Sequence, residues 1–145
     1  MALGRRAAMA AIGIGFLLAG SLPAQTGETF KARLSAVAAD ARTRPELAGL
    51  GSATATLSGD KLTITGSFDG LRSAATIAQL HAASAAGIRG PVVHDLTIST
   101  ATSGTISGSV DLTPQQIESL RKGGLYIQIH SQKAPDGVLW GWLLR

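Results

Sequence analysis

Residues 52–68, SATATLSGDKLTITGSF, decide the fold of this chain. On both sides of Gly59-Asp60, apolar and polar residues alternate with a period of two, which is the pattern of a strand with one buried face. A Gly-Asp pair between two such runs predicts a two-residue hairpin, because glycine accepts the positive φ at the first central position of a type II′ turn. The stretch therefore predicts two antiparallel strands.

Further alternating runs lie on both sides of this hairpin, and Ser103-Gly104 and Pro135-Asp136-Gly137 separate some of them as turns. The runs are 29–34, 75–81, 91–99, 105–112, 125–130 and 138–144. Residues 38–51 predict a long loop with room for one helical turn. Short strands at this spacing are typical of all-β proteins, and we predict an antiparallel, Greek-key-like β-sandwich of about 7–8 strands.

One short helix is predicted over residues 114–122. Thr113 is a good N-cap residue, proline at position 114 suits the first helical turn, and Gln116 completes the spacing of a capping box. Gly123-Gly124 ends the helix, because glycine readily takes the left-handed conformation after the last turn.

The N-terminal residues have the three parts of a secretory signal peptide. Arg5 and Arg6 precede the apolar run of residues 7–20, and Pro23-Ala24 offers a helix break and a small residue at the cut. The run is shorter than the roughly 20 residues that span a bilayer. We predict a signal peptide over 1–24, one domain over 25–145, secreted or periplasmic localisation, and no membrane span after cleavage; an uncleaved anchor helix is the alternative.

Composition excludes several function classes. The chain has no cysteine, which removes disulfides, thiol catalysis and cysteine-based metal sites. Without Arg5 and Arg6, eleven Lys and Arg residues face nine Asp and Glu residues, so the predicted domain has a net charge of only +2. The cations are scattered singly, whereas nucleic-acid binding needs clustered positive charge. We therefore predict no nucleic-acid partner.

Seven segments in order share the features of one known family. They are 30–35 FKARLS, 67–71 SFDGL, 78–81 AQLH, 90–93 GPVV, 112–120 LTPQQIESL, 125–130 LYIQIH and 134–141 APDGVLWG. Together they resemble the CHRD (chordin-type) domain, first described in chordin and common in secreted bacterial proteins. The resemblance covers about residues 29–144, which is nearly all of the predicted domain.

This resemblance implies an extracytoplasmic β-sandwich, similar in outline to the Cu/Zn superoxide dismutase fold, and it brings no general enzymatic activity. The sequence departs from the family pattern twice. Gln79 stands where the family has the first histidine of a His-x-His pair, and Val138-Leu139-Trp140 replaces a Glu-x-Arg segment. Both changes remove polar or metal-ligating groups.

Three histidines follow the predicted leader: His81, His94 and His130. The resemblance places His81 and His130 at corresponding strand ends, and we expect them to approach each other. Neutral imidazoles bind copper and zinc, so these three residues are the candidate metal ligands. The favoured interpretation is structural, with each ring bound to a loop backbone.

Catalytic patterns are missing from the sequence. There is no G-x-S-x-G nucleophile motif, phosphate-binding loop or dinucleotide fingerprint. Asp60, Asp69 and Asp136 fall in predicted turns, where aspartate binds backbone N–H groups. We therefore predict no catalytic residue and no enzyme activity.

Trp140 and Trp142 lie on one face of the last strand. We favour a position in the core or at a partly covered edge, and an exposed binding surface is the alternative. The function we predict is an exported, non-catalytic binding or structural module whose partner is an extracytoplasmic protein or an envelope component. The alternative is an extracytoplasmic copper- or zinc-binding protein that uses His81 and His130, with His94 as a possible third ligand.

Overall fold

The computed structural model describes residues 27–145, so the predicted leader over residues 1–24 lies outside the described residues. Within the described range the chain forms eight strands, one α-helix and one 3₁₀ turn. The elements are β1 Glu28–Ala36, the 3₁₀ turn Arg44–Glu46, β2 Leu50–Ser58, β3 Lys61–Asp69, β4 Ala75–Ala82, β5 Val92–Ile98, β6 Gly104–Asp111, α1 Pro114–Arg121, β7 Leu125–Ser131 and β8 Leu139–Trp142.

The β2–β3 hairpin forms as predicted. Leu57 pairs with Leu62 and Ser58 with Lys61, so the connecting turn has two residues. Gly59 has a φ of +63°, and no residue other than glycine has a positive φ in the described chain. Gly59 therefore supplies the left-handed position for which the sequence pattern calls.

All strand pairs are antiparallel, and the eight strands close in the order β1-β2-β3-β6-β5-β4-β7-β8. Strands β4, β5 and β6 are consecutive neighbours, and β7 returns to lie beside β4. The spatial order β7-β4-β5-β6 is that of a Greek key. The all-β class, the strand number and the Greek-key connection of the prediction are confirmed.

The predicted sandwich is corrected to a closed barrel. Two short junctions join what would otherwise be two separate sheets, one between β5 and β6 and the other between β1 and β8. The paired residues are Thr97↔Ser107 and Ile98↔Ile106 in the first, and Ser35↔Trp140 and Ala36↔Leu139 in the second. Alternation of apolar and polar residues shows which face of a strand is buried. It does not show whether the edges of two sheets meet, so the pattern could not distinguish the two architectures.

The inside of the barrel is apolar. Its fully buried side chains include Phe30, Leu34, Ile64, Leu80 and Ile127. Burying a side chain of this size stabilises the fold by about 1.5–3 kcal/mol. Because the chain has no cysteine, the core holds the barrel together without disulfides.

The predicted helix forms over Pro114–Arg121 with both hydrogen bonds of the capping box. The Gln116 backbone N–H donates to the Thr113 hydroxyl over 3.2 Å, and the Thr113 N–H donates to the Gln116 side chain over 2.9 Å. Arg121, at the helix end, forms an ion pair with Glu28 at the start of β1. The helices found in residues 27–145 are too short and too polar to traverse a lipid bilayer.

Candidate binding site on the outer face of the barrel

Strand β7 is buried on both faces, which marks the part of the barrel where the outer surface is covered. Every residue from Leu125 to Ile129 is buried. Leu125, Ile127 and Ile129 belong to the core, while Tyr126 and Gln128 point outward. Two loops cover this outward face, and some of the side chains beneath them also line the candidate site.

We call this set of outward-facing side chains the outer cluster. It consists of His81 from β4, Tyr126, Gln128 and His130 from β7, and Trp140 and Trp142 from β8. The register places His81 opposite Tyr126 and Tyr126 opposite Trp142, so the three side chains form one row across three strands. Gln128 pairs with Trp140 in the next row.

The rings of the outer cluster pack as a continuous aromatic layer. His81 stacks on Tyr126, with ring centroids 4.8 Å apart and an angle of 13° between the planes. Tyr126 contacts Trp142 at 4.9 Å, and Trp142 contacts Trp140 edge to face at 4.8 Å. Aromatic pairs in such geometries contribute about 0.5–1.5 kcal/mol each beyond their buried area. The layer therefore stabilises the outside of the barrel.

The loop between β4 and β5 is bound to this layer through Gly90. Its N–H donates to the Tyr126 hydroxyl over 2.9 Å, and its carbonyl lies 2.9 Å from Nδ1 of His81. The guanidinium group of Arg89 lies over the Trp140 ring, 5.5 Å from its centroid. A Cβ at position 90 would overlap the carbonyl oxygen of Ala82, so only glycine fits here.

The segment before β8 covers the other end of the cluster. The Pro135 carbonyl lies 2.7 Å from Nδ1 of His130, and the Asp136 carbonyl accepts a 2.8 Å hydrogen bond from Nε2 of Gln128. Arg89 also donates to the Asp136 carbonyl, over 3.1 Å, which ties the two covering loops together. The polar side chains of the cluster thus hold loops in place.

These contacts fix the tautomers of two histidines. A backbone carbonyl only accepts hydrogen bonds, so Nδ1 of His81 and of His130 carries a proton, and in the neutral ring Nε2 has a free lone pair. Both Nε2 atoms are buried without a hydrogen-bond partner in the described structure. Burial lowers the pKa of His81, and the hydrogen bond to Gly90 acts in the opposite direction.

The candidate metal ligands do not come together as three. His81 and His130 share the outer face, but Ile77 is the residue opposite His130, which places His81 four positions away. At about 3.3 Å per residue, this is roughly 13 Å along the strands. His94 is exposed and pairs with Leu80. No group of three or more His, Asp or Glu side chains that could hold a metal occurs in residues 27–145.

A groove of about 500 Å³ runs along the junction between β1 and β8, beside the outer cluster. We call it the junction groove. Its lining includes Lys31, Arg33, Ser35, Ser52, Ala86, Trp140, Trp142 and Leu144. The two indoles are neither inside the barrel nor fully exposed: they lie half-buried on its outer surface, at the partly covered edge that the sequence suggested.

The β1–β8 ladder is interrupted beneath this groove. Ser35 pairs with Trp140, and Lys31 next forms an isolated bridge with Leu144. Arg33 and Trp142 face each other between these two pairs, but they are not themselves paired in the ladder. Sequence analysis did not predict the groove, because it depends on the pairing of the first strand with the last one. The only hint was that both strands alternate, with cations at 31 and 33 and indoles at 140 and 142.

The fold and the site define a class: a small, cysteine-free antiparallel barrel with a loop-covered aromatic layer and an open groove on its outside. The family model described as the CHRD domain matches residues 30–143. The chain belongs to the CHRD domain family, which confirms the resemblance noted in the sequence. No curated protein and no solved structure matches the chain.

Proposed function

We propose that this protein is an exported, non-catalytic binding module of the CHRD type and that it binds its partner in the junction groove. The observation that carries this proposal is the groove itself. Two half-buried tryptophans and two exposed cations line one open surface. Tryptophan and arginine are the residues that most often dominate the energy of protein interfaces.

The arrangement of the outer cluster supports a non-catalytic role. His81 and His130 each use Nδ1 to hold a loop carbonyl, and Gln128 does the same with its amide. A general base needs a lone pair within reach of a substrate proton. In both imidazoles the remaining nitrogen is buried, so the cluster serves to shape the surface next to the groove.

Export is proposed from the leader pattern of residues 1–24 together with the family, whose domains occur in secreted proteins. The expected product outside the cytoplasm begins at Gln25 or close to it. Mass spectrometry of the protein recovered from the periplasm or the medium tests this. Recovery of full-length protein from the membrane fraction would favour the anchor-helix alternative.

A capture experiment tests the binding function. The protein, fixed to a support, is exposed to envelope and secreted fractions of the organism that makes it. Trp142→Leu removes the indole and keeps an apolar side chain against Tyr126, and we expect it to lose the captured partner. Val92→Ala, at a side chain on β5 that is 49% exposed and does not line the groove, is the matched control and retains it.

Thermal melting of both variants shows whether they remain folded. A folded wild-type protein that captures nothing, or capture that is equal in the Trp142→Leu variant and the control, contradicts the proposed site.

A second candidate function is metal binding, and one observation favours it. Nε2 of His81 and Nε2 of His130 are buried and unpartnered, and Nδ1 of each ring is held by a carbonyl. A carbonyl on the second nitrogen is the usual support for a metal-binding histidine. Because the two histidines lie roughly 13 Å apart along the strands, each would supply a single imidazole to a separate ion, fewer than the three or four protein ligands of most zinc sites.

Titration with Cu(II) or Zn(II), followed by calorimetry, tests this candidate. The His81→Ala/His130→Ala double variant is compared with the wild type, and His94→Ala is the control. Metal binding requires saturable uptake that the double variant loses and the control keeps. Equal affinity in all three proteins would exclude it.

A further inference from the structure

The junction groove has two parallel rows of side chains with different chemistry. Lys31 and Arg33 stand two residues apart on β1, and Trp140 and Trp142 stand two residues apart on β8. Outward positions on a strand repeat every ~6.6–7 Å, which is also the two-residue repeat of an extended peptide. In a peptide that lies extended along the groove, every second side chain would therefore point into the groove, and each of these side chains would lie near one cation and one indole.

The charge of the groove has one sign. No Asp or Glu is among its lining residues. In the part of the chain that the structure describes, the ion pairs are Glu28 with Arg121, Glu28 with Arg145, and Glu118 with Lys122. Among the described residues, Lys31 and Arg33 therefore form no ion pair, although Asp69 lines the adjoining opening with Arg33. Arg89 over Trp140 adds a third cation beside the groove.

The chemistry of these groups selects a carboxylate ligand. The planar guanidinium group of Arg33 can bind a carboxylate with two parallel hydrogen bonds, and Lys31 offers a point charge. The exposed parts of the two half-buried indoles give apolar area for the aliphatic part of the same side chains. Ser35 and Ser52, which are both exposed at the groove, can hydrogen-bond a peptide backbone.

From these observations we infer that the junction groove binds an extended peptide segment of a partner protein, with acidic side chains two residues apart. This inference rests on the proposed function and names the chemistry of its partner. Electrostatic complementarity selects the acidic segment, and the matching repeat of strand and peptide sets its conformation.

Intrinsic fluorescence tests the inference directly, because Trp140 and Trp142 are the only tryptophans in the sequence and both line the groove. The probe is a blocked synthetic peptide of alternating Glu and Thr. A blocked peptide of alternating Lys and Thr is its control. We expect a saturable change in tryptophan emission with the acidic peptide alone, and weaker binding as salt is added.

Reversing the charges of Lys31 and Arg33 then tests whether these two residues contact the acidic peptide. The Lys31→Glu/Arg33→Glu variant should bind the acidic peptide about tenfold more weakly or worse, because two attractions become repulsions. Lys61→Glu/Arg72→Glu reverses two exposed cations outside the groove and should bind like the wild type.

Three results would overturn the inference: no saturable response to the acidic peptide, an equal response to the basic peptide, or unchanged binding by the Lys31→Glu/Arg33→Glu variant. Polygalacturonate, an acidic polysaccharide, is titrated in parallel. Binding of that polymer without binding of the peptide would also reject a peptide partner. If partner capture still depends on Trp142 in any of these cases, the proposed binding function is retained and only the acidic-peptide partner is rejected.

Discussion

The imidazole of His81 lies nearly flat on the phenol ring of Tyr126, with 4.8 Å between the ring centroids. The two residues are paired across β4 and β7, and both bind the backbone of Gly90. One stacked pair therefore joins two strands of the barrel to the loop that covers them. Because of this relationship, the stability of the outer cluster should depend on the protonation of His81 and on the hydroxyl group of Tyr126.

The pH dependence of stability should report on His81. Burial is the main cause of its lowered pKa, and the electrostatic effects of His130 and Arg89 act in the same direction. In the unfolded chain the His81 imidazole takes up a proton near pH 6.5. In the folded chain it takes up this proton only at a lower pH. The unfolded state thus binds more protons in that interval, and the free energy of unfolding falls as the pH is lowered through it.

Urea unfolding at pH 8 and pH 5.5 measures this effect. His81→Asn should lose less stability than the wild type between the two pH values, although it is less stable at pH 8. Thr97→Ala, at an exposed position without an ionisable side chain, should keep the wild-type dependence. An identical pH dependence in His81→Asn and wild type would show that His81 does not titrate as described.

Removing the Tyr126 hydroxyl should loosen the covering loop. Tyr126→Phe leaves the Gly90 N–H without its 2.9 Å partner. An unsatisfied polar group of this kind costs about 1–3 kcal/mol. We expect faster trypsin cleavage after Arg89, which lies in the loop, while the stacking with His81 remains.

Cleavage is followed by mass spectrometry, and Thr63→Ala, at an exposed position on β3, is the control. Equal cleavage rates at Arg89 in Tyr126→Phe and the control would mean that this hydrogen bond does not hold the loop.

Closure of the barrel at the β1–β8 junction depends on Gly141. A Cβ at this position would overlap the carbonyl oxygen of Arg33, which is backbone and cannot turn away. Gly141→Ala should therefore destabilise the barrel by about 1–3 kcal/mol, the usual cost of overpacking. Chemical denaturation measures the loss, and Ser35→Ala on the same junction is the control, with a change within about 0.5 kcal/mol. A fully stable Gly141→Ala variant would contradict the close approach of the two strands.

The core accounts for stability in a chain without disulfides. Ile64 is fully buried on β3, whereas Thr65 beside it points to solvent. Ile64→Ala should lower the free energy of unfolding by about 2–5 kcal/mol, and Thr65→Ala by no more than about 0.5 kcal/mol. Urea denaturation of both variants provides the comparison. Similar losses in the two would mean that the inward and outward faces of β3 are assigned wrongly.

Local elements were predictable from the sequence because their causes are local. The β2–β3 hairpin follows from Gly59 between two alternating runs, and helix α1 follows from the Thr113 cap and the glycines at its end. The family resemblance over residues 30–143 also lay in the sequence, in motifs that occur in order.

Features that depend on distant strands were not predictable. Barrel closure requires β1 to meet β8, and these strands are separated by more than a hundred residues. The groove between Arg33 and Trp142 exists only because of that meeting. Tyr126 and Gln128 are likewise buried by loops that lie over the outer face. Alternation of apolar and polar residues shows which side chains share a face of the strand, but it does not show which loops cover that face.

Site-specific photocrosslinking in the organism that makes the protein tests the central claim, that the junction groove is the binding surface. A photoreactive amino acid is placed at Ser35 or Ser52 in the groove, and at Thr65 or Thr97, which are exposed elsewhere on the barrel. The account predicts a discrete crosslinked adduct from the two groove positions and none from the other two. Adducts at Thr65 or Thr97 with none at Ser35 and Ser52 would contradict it.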